Sequence, residues 1–287
     1  NTIYQSINGV VLNKQGTELI FCPRSKVGTF IIPDGVKIIG QSAFQGCAGL
    51  TEINIPSGVT SIPYGAFSGC TELTTIVIPS TVTSLGCASF RNCTNLSSIS
   101  LSPGLTEIQE DTFWGCSSLT EITIPFGVTK IGKYAFWCSG LSNITIPASV
   151  VSLEICAFGG CDNLNTVFIP ASVTEFYDPF NQCENIIAIE FDEANTVFKD
   201  IDGVVFDKAG TEIIFFPYGK GGAYTIPDGV TTIRYYLFYN HKNLYSVTLP
   251  ASLTTIGSDA FFCCEDLEEI KVDRIRQINR IFSISQT

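Results

Sequence analysis

Phenylalanine recurs at a fixed interval in this chain. Phe44, Phe67, Phe90, Phe113 and Phe136 stand 23 residues apart, and Phe158 follows after 22. A period of roughly 20 to 50 residues means that one short supersecondary unit is repeated, and a single unit cannot bury its own apolar side. Stacking in series is the solution, so the feature predicts a solenoid rather than a globule with one central core.

The rest of the unit travels with the phenylalanine. A cysteine follows by three residues at Cys47, Cys70, Cys93, Cys116 and Cys161. At Cys138 the gap is two, which reads as a turn that has lost a residue. Leucine comes next, at Leu50, Leu73, Leu96, Leu119, Leu141 and Leu164, and then an alternating apolar pair such as Ile53/Ile55 or Ile122/Ile124. Alternation puts both apolar residues on one side of a short strand. Proline at 56, 79, 125, 147 and 170 ends that strand, because it cannot donate to a ladder. A V-x-x-I step, as at Val59/Ile62 and Val128/Ile131, turns a second apolar edge inward, and the A-F pair fills the far bend. Phe238 and Phe261 open two later copies, with His241 in the cysteine place of the first.

The architecture predicted is a leucine-rich-repeat solenoid. It has one short parallel strand per ~23-residue coil, a turn-rich opposite side and β-hairpin modules. Residues 7–36 match 201–230 at a constant offset of 194, with 18 identities in 30 positions. Each copy carries two apolar strands around a polar turn, Asn13-Lys14-Gln15-Gly16 and Asp207-Lys208-Ala209-Gly210. The predicted organisation is an N-terminal hairpin cap (1–32), a regular array (33–191), a second hairpin module (192–226), further repeats (227–272) and a C-terminal cap or tail (273–287). In the tail, Val272, Ile275, Ile278 and Ile281 are spaced for a short amphipathic helix or a frayed end.

The unit I-P-x-x-V-T-x-I-x-x-x-A-F-x-x-C-x-x-L resembles the BspA-like leucine-rich-repeat family of bacterial surface proteins. G-V-V-[LF]-x-K-x-G-T-E-[LI]-I resembles their connecting module. The resemblance spans about residues 3 to 272. It implies a secreted or surface-exposed protein, adhesin-like binding of host matrix proteins or other bacteria, and no catalytic motif. Tyr177-Asp178-Pro179-Phe180 departs from the pattern, with Pro179 in place of alanine, which puts that coil's geometry in question.

Composition narrows function further. With 45% apolar and 15% charged residues the chain can bury a continuous core. Its net charge of −11 repels phosphate backbones, so nucleic acid is not an expected partner. No apolar run approaches the roughly 20 residues that cross a bilayer. The chain opens at Asn1, not Met, which reads as a trimmed chain whose export signal lies elsewhere.

One cysteine per coil is not the paired spacing of a zinc site, so structural free thiols are expected among the 12 cysteines. Disulfides between coils remain open on distance alone. His241 is the only histidine and has no marked catalytic partner. No serine-hydrolase elbow, Walker loop or paired glycosidase carboxylates stand out, so no enzyme, cofactor or metal is expected.

The candidate partner-binding residues lie on two faces. Glu52, Glu121 and Phe168 occupy outward strand positions, which form a ribbon if coils stack roughly 4.8 Å apart. Trp114 and Trp137 each follow a core phenylalanine, one coil apart. They either shield the bend by packing on each other or contact a partner. Tyr235, Tyr236 and Tyr239, with Tyr245, form a second aromatic group suited to protein or glycan. The functional expectation is a non-catalytic surface scaffold binding a host or bacterial macromolecule. The alternatives are a structural spacer for other domains or a carbohydrate-binding module.

Overall fold

The computed structural model describes residues 2–272, so the expected C-terminal cap or helix lies outside it. Among the described residues there is no helix. The chain winds as a parallel-strand solenoid of about 11 turns, about 23 residues apart. Among the described residues no helix is long and apolar enough to cross a membrane.

The I-x-I segments build the first ribbon. Val27–Ile31, Gly49–Asn54, Thr75–Val77 and Ser98–Ser100 pair in parallel, with Thr29, Glu52, Thr75 and Ser98 in register. The ladder lapses at the coils of Ile122 and Ile144 and resumes where Thr166–Ile169 pairs with Ala188–Phe191. The V-x-x-I edge does more than turn the chain. It forms a second ribbon of two-residue strands, Ser61–Ile62 on Ser84–Leu85, then Glu107–Ile108, Lys130–Ile131, Ser152–Leu153 and Glu175–Phe176. Between the ribbons each proline carbonyl accepts the N–H of the valine three residues on, as in Val59 N to Pro56 O at 3.1 Å.

The interior is a phenylalanine stack. Phe44, Phe67, Phe90, Phe113, Phe136, Phe158 and Phe180 are fully buried, with successive ring centroids 5.2–5.5 Å apart. Phe180 closes this stack despite the irregular Tyr177–Phe180 turn, so that coil keeps its geometry. Proline fits there because the residue before each core phenylalanine passes the chain forward through its carbonyl, and Pro179 O still accepts Phe158 N at 2.8 Å.

The cysteine row is buried but does not behave as a plain apolar filler. After Cys47, whose thiol donates to Cys22 O at 3.5 Å, thiols of the row donate to the carbonyl of the preceding coil's phenylalanine: Cys70 to Phe44, Cys93 to Phe67 and Cys116 to Phe90, all at 3.2 Å. His241 Nε2 takes the same role toward Phe216 O at 3.0 Å. This explains why a histidine replaces a cysteine there: the slot needs a donor. The one-residue loss assigned to Cys138 belongs elsewhere. Ser139 sits in the buried slot against Cys161 Sγ, and the shortening falls between Ser139 and Leu141. All 12 cysteines are free thiols.

The two homologous modules hold three antiparallel strands each, one more than a hairpin. They are Tyr4–Ile7, Val10–Asn13 and Glu18–Phe21, and Phe198–Ile201, Val204–Asp207 and Glu212–Phe215. The extra turns are Asn8-Gly9 (φ 52° and 76°) and Asp202-Gly203 (φ 52° and 75°), left-handed at both residues as a tight two-residue hairpin requires. The third strand of each feeds the second ribbon, Leu19 against Ile39 and Ile213 against Ile233. The second module also divides the core. Val205 and Phe215 belong to the first apolar cluster, whereas Val204, Phe206, Ile213 and Phe216 belong to the next, where Phe238 stacks on Phe261 and meets Phe216 at a tilt, both with centroids 5.0 Å apart.

Candidate functional site

The bend around each core phenylalanine has an unusual backbone that decides where side chains land. The residues two before and two after the phenylalanine are left-handed in coil after coil: Asp111 and Gly115, Tyr134 and Cys138, Asp178 and Gln182. Alternating right- and left-handed residues turns successive N–H groups the same way. They therefore meet the next coil as a one-directional ladder, with Phe90 N on Thr112 O, Asn92 N on Trp114 O and Gly115 N on Trp137 O. The residue directly after each phenylalanine thus faces its counterpart one coil on, and a column forms.

Along that column lie Arg91, Trp114 and Trp137. The tryptophan rings stack at 5.6 Å, and Tyr134 packs against both at 5.4 and 5.6 Å. The Arg91 guanidinium lies 4.3 Å over the Trp114 ring and pairs with Asp111 at 2.5 Å. Burial raises the Asp111 carboxyl above its usual range, opposed by Arg91. The next position, Gly159, has no side chain, and the Trp137 ring covers its Cα; a Cβ there would stand 2.3 Å from Trp137. The two predicted tryptophans are therefore brought together, each half-buried, with Arg91, Asp111 and Tyr134 as neighbours that sequence reading missed. An opposite charge pair offset by 20 residues, flanking successive phenylalanines, was the available signal.

Farther along, the bend opens into a groove of about 980 Å³ where the second module meets the coils on either side. Tyr235, Tyr236 and Tyr239 line it, as predicted together, and Tyr177 and Phe262 join them. Tyr177, Tyr235, Tyr236 and Phe262 are all about half exposed or more. Tyr236 stands edge-on to both Tyr235 and Tyr239, while Tyr239 stacks on Phe262 at 6.0 Å. Tyr245 is not part of this group; it lies on the strand Leu244–Leu249.

The polar groups of the groove sit beside Asp178. Asn181 Nδ2 donates to Asp178 Oδ2 at 2.9 Å and to the Tyr218 hydroxyl at 3.1 Å, and Tyr218 stacks on His241 at 4.6 Å. Asp178 Oδ1 is buried without a hydrogen-bond partner. Burial pushes this carboxyl up to about 6, with the Asn181 amide opposing. Burial also raises the Tyr218 phenol and lowers His241, which is neutral at physiological pH. Arg234 and Glu212 pair with each other on the wall.

The strand-face candidates are dispersed. Glu52 is exposed and accepts a hydrogen bond from Thr29 Oγ1 at 3.3 Å. Glu121 lies three coils away, in a segment outside the ladder. Phe168, 53% exposed, borders a hollow of about 1100 Å³ with Glu190, Asp192, Glu193, Asp200 and Asp202. Among the described residues no group of three acidic, histidine or cysteine side chains is placed to hold a metal ion.

The family model described as BspA type Leucine rich repeat region matches residues 18–139, 129–219 and 214–286, in six copies. Among solved structures, a leucine rich cell surface protein from Faecalibacterium prausnitzii is 29% identical. It covers 94% of this chain and 76% of its own, with a TM-score of 0.79. The pneumococcal vaccine antigen PcpA (22% identity, 94% and 68% covered, TM-score 0.56) has the same fold. So does a leucine-rich repeat protein from Eubacterium ventriosum (23%, 95% and 70%, TM-score 0.53). Comparison with curated proteins gives no match.

Proposed function

Because the chain belongs to the BspA-type leucine-rich-repeat family, we propose that it is a non-catalytic scaffold at the cell surface or secreted, adhesin-like, and that it binds a protein of a host matrix or of another bacterium through its bend face. The carrying observation is the aromatic column. Arg91, Trp114, Tyr134 and Trp137 run toward the groove of Tyr177, Tyr235, Tyr236, Tyr239 and Phe262 on one side of the solenoid. Aromatic and arginine side chains dominate binding energy at protein interfaces. Large rings left half in water gain most from being covered. A rigid stack of coils holds them in place at little entropic cost on binding. The cell-surface description of the Faecalibacterium relative agrees with this placement.

The test is surface plasmon resonance of the purified chain against immobilised matrix proteins and intact bacterial cells. Trp137→Ala with Tyr235→Ala is expected to weaken binding at least tenfold, and Glu52→Gln with Glu121→Gln by less than twofold. Loss on the strand-face pair alone would move the site to the other face. No binding to any of these surfaces would leave the spacer as the better reading.

A further inference from the structure

Two aspartates occupy the same left-handed position, two residues before a core phenylalanine, in different surroundings. Asp111 is met by the guanidinium of Arg91, which comes from the position directly after the preceding phenylalanine and lies flat over Trp114. In the corresponding place before Asp178 stands Gly159, with no side chain to offer. Among the described residues no lysine, arginine or histidine pairs with Asp178, and its Oδ1 has no hydrogen-bond partner. Asp111 Oδ1 likewise has no hydrogen-bond partner, so the two coils differ in the cation: Asp111 Oδ2 meets Arg91, Asp178 meets none, and at Asp178 the bend opens into the groove.

The space beside it suits what is missing. The groove of about 980 Å³ is of ligand size. Among the described residues its only charged groups besides Asp178 are Glu212 and Arg234, which neutralise each other. Tyr177, Tyr235 and Tyr236 present rings more than half exposed. A planar guanidinium stacks on aromatic faces and, unlike a neutral sugar or an aliphatic group, also brings the positive charge and two-pronged N–H donors that pair with a carboxylate. The net charge of −11 favours approach of a basic partner.

We infer that the Asp178 groove is a receptor for an arginine side chain of the protein partner, repeating in trans the Arg91–Asp111–Trp114 arrangement. This rests on the interaction reading above and names the chemistry of its anchor.

The test uses the whole chain and two labelled peptides that differ at one residue, arginine in one and the neutral isostere citrulline in the other, with fluorescence anisotropy as the readout. The arginine peptide is expected to bind at least tenfold more tightly than the citrulline peptide. Asp178→Asn should erase that difference and Tyr235→Ala should reduce it. Glu121→Gln, which removes an equal charge far from the groove, should preserve it. Equal binding of the two peptides, a difference that survives Asp178→Asn, or equal losses in Asp178→Asn and Glu121→Gln would overturn the assignment. Binding to matrix proteins or cells that depends on Trp137 but not on Asp178 would sink this inference and leave the scaffold reading standing.

Discussion

Replacing Asp178 by asparagine should stabilise the protein at neutral pH. The residue sits at φ 50°, a conformation asparagine tolerates well, and the amide oxygen can still accept from Asn181. The gain comes from removing a buried ionisation. The folded carboxyl titrates at about 6 against an ordinary 3.8, because burial disfavours its charged form. With the folded value raised, the carboxyl's contribution is fully present below 3.8 and is lost as pH rises through about 6. The gap corresponds to ~3 kcal/mol, which solvent at the edge of the half-buried residue lowers to about 2 kcal/mol. Urea unfolding followed by circular dichroism, at pH 7.5 and pH 4 and constant ionic strength, is the assay. Asp178→Asn should exceed the natural chain by about 2 kcal/mol at pH 7.5 and by under about 1 kcal/mol at pH 4. Comparing the two proteins at each pH cancels the titration of every other carboxylate. A variant less stable at pH 7.5, or a gain independent of pH, would refute the reasoning. A residue that costs stability and lies in a groove is what a binding site leaves behind.

Four further outcomes follow from the coils. Phe113→Ala, in the middle of the ring stack, should cost about 3–5 kcal/mol in chemical denaturation, since both neighbouring rings lose a face. Gly159→Ala should cost about 1–3 kcal/mol through its clash with Trp137, and the cost should shrink in a Trp137→Ala background; additive losses would deny the contact. His241 is held neutral by burial, so its contribution to stability is lost as pH falls below its ordinary 6.5. His241→Cys should fold and flatten that acid loss, measured by thermal melts between pH 7.5 and 5. In native protein a thiol reagent should reach exposed Cys138 and Cys263 well before the buried row of Cys70, Cys93 and Cys116, which reacts on unfolding.

Periodicity in one dimension was enough for the repeating unit. Phe44 to Phe158, the I-x-I strands and the duplicated 194-offset module identify coil, core and family because each coil repeats the same local demand: apolar residues inward, proline at the strand's end. The aromatic candidates were legible for the same reason, since Trp114 and Trp137 hold one place in successive units and stack as that predicts. Three-dimensional packing alone set the rest. The left-handed column at Asp111 and Asp178 arises because N–H groups of the bend must find carbonyls on the next coil, a demand with no residue signature when aspartate, tyrosine and cysteine all meet it. The slot filled by His241 looked like a cysteine position until its need for a hydrogen-bond donor was visible. The groove required the second module, whose strand at Glu212–Phe215 leads into Tyr218 and holds Arg234 through Glu212, so that residues 40 or more positions from Asp178 line one groove with it. Repetition records contacts between neighbouring coils. Contacts made where the repetition is broken depend on how the interrupting strands stack, and that is settled only when the core divides around them.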